Sequence, residues 1–158
     1  MSVSKYIREY LATYYDDDKY VHVAVHGLYE DQETFSHIPT KNELEVLFDA
    51  SGFAIDVSDC FTDCLNMVVS PKLPVEVYDP TISYGLGYTF QNCAALKIPP
   101  ALPAAEYAFR AFDGCYSLKQ APVIPLGVKN MYCMFLGCSN LAYPVSIPSS
   151  ATNIFGLY

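Results

Sequence analysis

Histidine is scarce in this 158-residue chain: there are three, all within the first 37 residues. Most of the chain therefore lacks the commonest general base and metal ligand. No glycine-rich phosphate loop is present, and no serine sits in a nucleophile-elbow motif. A nucleophile beside an oriented base is not expected, so the chain reads as non-enzymatic and without a cofactor. Basic residues number 9 against 17 acids, which argues against direct DNA or RNA binding, where a basic patch would be needed. No apolar run approaches the roughly 18 to 20 residues of a membrane span. The opening Met1-Ser2-Val3-Ser4-Lys5-Tyr6 has no apolar signal-peptide core, so a cytoplasmic protein without membrane contact is expected.

What the chain has is apolar mass and tyrosine. Hydrophobic residues make up 52% and charged residues 16%, a balance that excludes disorder and can bury one domain's core. The fourteen tyrosines suit a binding surface, because tyrosine offers large contact area at low entropic cost. The charge of −8 is lopsided, with 11 acids and 4 bases in residues 1–56 against 6 and 5 in residues 57–158. An acidic N-terminal third can steer a basic partner, or simply keep the protein soluble.

Val3, Ile7, Tyr10, Leu11 and Tyr14 fall at helical spacing and predict a helix over 3–15, stopped by Asp16-Asp17-Asp18. Tyr20 to Leu28 alternates and predicts a strand. Thr40-Lys41-Asn42-Glu43 fits a capping box and predicts a helix through Phe48, ended near Ser51-Gly52. Residues 1–53 thus read as an acidic, non-repeating helix–strand–helix cap.

From about Ala54 a repeat takes over. Phe61-Thr62-Asp63-Cys64, Phe90-Gln91-Asn92-Cys93, Phe112-Asp113-Gly114-Cys115 and Phe135-Leu136-Gly137-Cys138 stand at intervals of 29, 22 and 23 residues. The longer interval places an insertion near residues 75–83, and insertions in repeats often form the binding face. A partial fifth copy runs from Ala151 to Tyr158, with Ile154, Phe155 and Leu157 expected to cover the Phe135 layer. Counted from the phenylalanine, positions −4, −1, 0 and +3 are mostly apolar or cysteine, a spacing that predicts a short helix per unit. A turn, a brief strand and a proline-bearing return complete the unit, since proline cannot donate to a longer ladder.

Met134-Phe135-Leu136-Gly137-Cys138-Ser139-Asn140-Leu141, with Leu118-Lys119-Gln120-Ala121-Pro122-Val123-Ile124-Pro125, resembles the BspA-type leucine-rich-like repeats of bacterial, phage and protist proteins. The likeness covers about residues 54–158. It implies an α+β fold: a short leucine-rich-repeat-like solenoid of about four units plus a half unit, behind the N-terminal cap. It further implies a recognition scaffold without catalytic residues, in a bacterial or phage-infected cell.

The function expected on these grounds is binding of a partner protein through the solenoid face and the 75–88 insertion. Tyr78, Tyr84, Tyr88, Tyr116 and Tyr143 are the candidate contacts. The alternative is a small acidic inhibitor of a host defence protein or nuclease, with Asp16, Asp17, Asp18, Glu30, Asp31 and Glu33 mimicking nucleic-acid charge. A phage tail or surface subunit is a lesser alternative.

The cysteines have a plainer role. Cys64, Cys93, Cys115 and Cys138 share one repeat position, so stacking predicts a ladder of buried, reduced thiols rather than disulfides or zinc. His22 and His26 would lie about 13 Å apart on a strand, too far to share a metal.

Overall fold

A computed structural model describes the backbone of Tyr15–Asp16, Tyr20–His22 and Ala54–Asp56, and the chain in full at residues 57–70, 72–73 and 85–158. Strand β1 (Tyr15–Asp16) pairs antiparallel with β2 (Tyr20–His22), Tyr15 facing Val21. Strand β2 also pairs in parallel with β3 (Ala54–Asp56), Val21 facing Ile55, which gives the order β1-β2-β3. The strand expected from Tyr20 is present as far as His22, and Val23 to Leu28 lie outside the described residues. Tyr15, expected to end a helix, stands in β1 instead. Tyrosine suits a pleated edge better than a helix end, and pairing with Val21 overrides the 3.6-residue spacing. The remainder of that helix, the helix from Thr40 and the insertion at 75–83 lie outside the described residues.

Beyond β3 the chain winds into coils, each marked by its phenylalanine. The expected unit helix is replaced by consecutive three-residue turns, and no helix occurs among the described residues. The amides divide their work by parity. Those at −1, +1 and +3 close local turns, as where Met134 N donates to Met131 O at 3.1 Å and Cys138 N to Phe135 O at 3.0 Å. Those at −2, 0 and +2 donate instead to the next coil: Arg110 N to Tyr132 O at 2.9 Å, Phe112 N to Met134 O at 2.9 Å, and Gly114 N to Leu136 O at 2.8 Å. An α-helix would spend every amide on its own chain four residues back, leaving none for this ladder.

Left-handed residues at −2 and +2 make this alternation possible. Asp59, Tyr88, Arg110, Cys133 and Gly156 hold positive φ at −2, and Asp63, Asn92, Gly114 and Gly137 hold it at +2. Asp, Asn and Gly adopt that region most cheaply; Tyr88, Arg110 and Cys133 do so at a cost of about 1–2 kcal/mol each. At Gly114 a side chain has no room, because a Cβ would lie 2.7 Å from the Asn92 Oδ1 atom. That amide in turn donates through Nδ2 to Asp63 Oδ1 at 2.8 Å, so the +2 positions form a polar column ending in bare glycine.

Inside the stack, equivalent side chains lie directly over one another. Phe61, Phe90, Phe112 and Phe135 are fully buried, with neighbouring rings 5.2, 5.2 and 5.5 Å apart and within 13° of parallel. Met67, Leu96 and Leu118 form a second column six residues on. Burial of each phenylalanine is worth roughly 1.5–3 kcal/mol, and each ring pair adds about 0.5–1.5 kcal/mol. Leu157 is buried beside the Phe135 layer and accepts the Phe135 amide, whereas Ile154 and Phe155, expected to close that layer with it, remain exposed.

The other half of each coil is built differently. Parallel bridges link Val69 to Ile98, and Tyr107 to Asn130 to Asn153. Between these rows no backbone hydrogen bond joins residues 99–105 to residues 120–127. The prolines at 99, 100, 103, 122 and 125 supply no donors there, so the coils part.

Candidate interaction surface

The parted coils leave a groove of about 430 Å³ between Pro99, Pro100 and Leu102 on one wall and Pro122, Val123 and Pro125 on the other. Val123 is 89% exposed and Leu126 84%, far beyond what a side chain in a packed layer shows. Tyr143, on the following coil, is 71% exposed. Large apolar side chains thus crowd the side of the stack that carries no ladder.

The sequence-derived contact residues fall in different places. Tyr116 and Tyr143 are exposed. Tyr88 is half-buried and structural, its ring edge-on to Phe109 at 5.1 Å and its carbonyl accepting the Thr62 hydroxyl at 2.9 Å. Asp16 belongs to β1. Tyr78, Tyr84, Asp17, Asp18, Glu30, Asp31 and Glu33 lie outside the described residues. Val123 and Leu126 were not singled out by sequence reasoning. The signal for them was an apolar pair placed among prolines, where no ladder can bury it.

The cysteines form part of the wall of the core. All six are free and buried. The Cys93 thiol donates to the Phe61 carbonyl at 3.0 Å, Cys115 to Phe90 at 3.1 Å and Cys138 to Phe112 at 3.1 Å. Each thiol therefore ties its coil to the one before, a directional role beyond the apolar packing expected of it. Burial pushes the Cys138 thiol up to about 12, with the neighbouring Asp113 adding to the rise. Burial raises Cys115 and Cys93 further, reinforced by the adjacent thiols. The nucleophile and metal ligand is the thiolate, so these three groups are held in their unreactive form.

No family model, curated protein or solved structure matches the chain. Among the described residues no group of three or more His, Cys, Asp and Glu side chains is placed to hold a metal ion. No helix among them is long and apolar enough to cross a membrane.

Polar groups on the laddered side are mutually satisfied. Arg110 bonds Asp113 at 3.2 Å, and Gln91 reaches the same carboxylate oxygen at 3.2 Å. The Arg110 guanidinium also lies 5.9 Å from the Tyr132 ring centre, and the Tyr132 side chain first, with the Asp113 carboxylate, holds it more firmly protonated. Tyr132 stacks in turn on Phe155 at 5.9 Å. This side of the molecule spends its side chains on itself.

Proposed function

We propose that the protein is a non-enzymatic protein-interaction module, a short leucine-rich-repeat-like solenoid that meets its partner on the proline-bearing side of its coils. The observation that carries this reading is the exposure of Val123, Leu126 and Tyr143 beside an open apolar groove. Clustered apolar exposure beside a groove is characteristic of interaction sites, whereas scattered single residues would need no explanation. Tyr143 supplies aromatic contact area of the kind interfaces favour, whereas the Tyr116 ring lies beside Gly137 on the laddered side.

The test is affinity capture from the native host with the whole chain and with a Val123→Asp/Leu126→Asp variant. The variant is expected to keep its melting temperature, because neither side chain packs in the core, and to lose the specifically captured protein. Capture of the same protein at the same yield by both chains would contradict the placement.

A further inference from the structure

Two cations among the described residues have no partner, and each stands in sequence just ahead of a groove wall. Arg110 pairs with Asp113, Lys129 pairs with Glu106 at 2.7 Å, and Lys72 is also engaged. Lys97 and Lys119 are exposed and unpaired. Both stand seven residues after their phenylalanine, so they occupy the same place on adjacent coils. One ladder step is about 5 Å, so their backbones are one step apart and neither side chain has a counter-ion among the described residues.

Each lysine leads straight into a groove wall, Lys97 into Ile98-Pro99-Pro100 and Lys119 into Gln120-Ala121-Pro122. Along those walls the amides of Ala101, Leu102, Ala121 and Val123 carry no hydrogen bond to another described residue. In a chain of net charge −8, this is a local reversal of sign beside apolar surface and free backbone donors.

We infer that the groove takes an extended segment of a partner protein that combines apolar side chains with at least one carboxylate. The apolar side chains lie against Leu102, Pro122 and Val123. The carboxylate sits at Lys97 and Lys119 as their counter-ion, and the segment's backbone carbonyls accept from the free amides. This is strand addition at an edge that proline has left unpaired. It rests on the interaction-module reading and specifies the partner's chemistry.

The experiment is selection of a random peptide library on the immobilised full chain, followed by anisotropy titration of enriched peptides. Lys97→Gln/Lys119→Gln serves as the counter-variant, keeping the side-chain length while removing both charges. Enriched peptides are expected to carry Asp or Glu among apolar residues. They should bind the variant about five- to tenfold more weakly, the range for two exposed ion pairs, and lose the same factor when their acids become amides. Enriched peptides without acids, or equal affinity for both chains, would overturn the carboxylate preference while leaving the interaction face intact. No enrichment at all would overturn the groove as a peptide site. If the Val123→Asp/Leu126→Asp chain also captured the host partner unchanged, the interaction-module placement would fall with it.

Discussion

The two halves of one coil obey opposite rules. On the phenylalanine side of the coils of Phe61, Phe90 and Phe112 every backbone amide from −2 to +3 has a partner, alternately within its coil and on the next, and the side chains stack in register. On the proline side the residues are no more polar, yet the coils separate and Val123 and Leu126 face solvent. Hydrophobicity alone does not decide which half is core. What decides is whether the backbone can complete its hydrogen bonds when the coils close, and proline removes that possibility at 99, 100, 122 and 125.

Substitutions should separate the halves by size of effect. The largest is expected for Phe112→Ala, which removes a ring stacked on both Phe90 and Phe135. A loss of about 3–5 kcal/mol is expected by urea denaturation. Gly114→Ala should cost roughly 2 kcal/mol, combining a left-handed φ with a clash against the Asn92 side-chain amide oxygen.

A pH series probes the thiol column. The ordinary thiol value of 9.0 is raised in the folded state, to about 12 at Cys138, so the unfolded chain loses its proton first as pH rises. Stability from this source is full below pH 9 and falls progressively as pH climbs toward 12. Replacing Cys115 and Cys138 by valine should flatten that alkaline decline relative to the unsubstituted chain. An identical slope would show that tyrosines and lysines alone cause it. The smallest stability change belongs to Val123→Ser/Leu126→Ser, within about 0.5 kcal/mol, although partner capture should be lost.

The sequence carried part of this in its spacing. Phe61, Phe90, Phe112 and Phe135 marked the column, and Cys93, Cys115 and Cys138 its neighbour, because equal repeat positions stack. The unit helix was misread for a physical reason. Apolar residues at −4, −1, 0 and +3 face one way both in a helix and in a run of three-residue turns, so periodicity cannot tell them apart. The discriminating residues were Asp63, Asn92, Gly114 and Gly137 at +2, all types that accept positive φ, and they point to a broken rather than a continuous helix. The thiol-to-carbonyl bonds could not be read from sequence, since cysteine in an apolar column looks the same with or without an acceptor. For the surface, Tyr116 and Tyr143 could be named from composition. Val123, Leu126, Lys97 and Lys119 acquire meaning only once adjacent coils are seen to part.

Amide hydrogen exchange on the whole chain tests the contrast between the two halves most directly. The amides of Phe61, Phe90, Phe112 and Phe135 are expected to exchange only through global opening, with protection that Phe112→Ala reduces in concert. Those of Ala101, Leu102, Ala121 and Val123 are expected to exchange near the rate of an unstructured peptide, and to slow when an acidic groove-binding peptide is added. Strong protection of Ala101 and Val123 in the free protein would contradict this division, because it would mean that the proline side is closed.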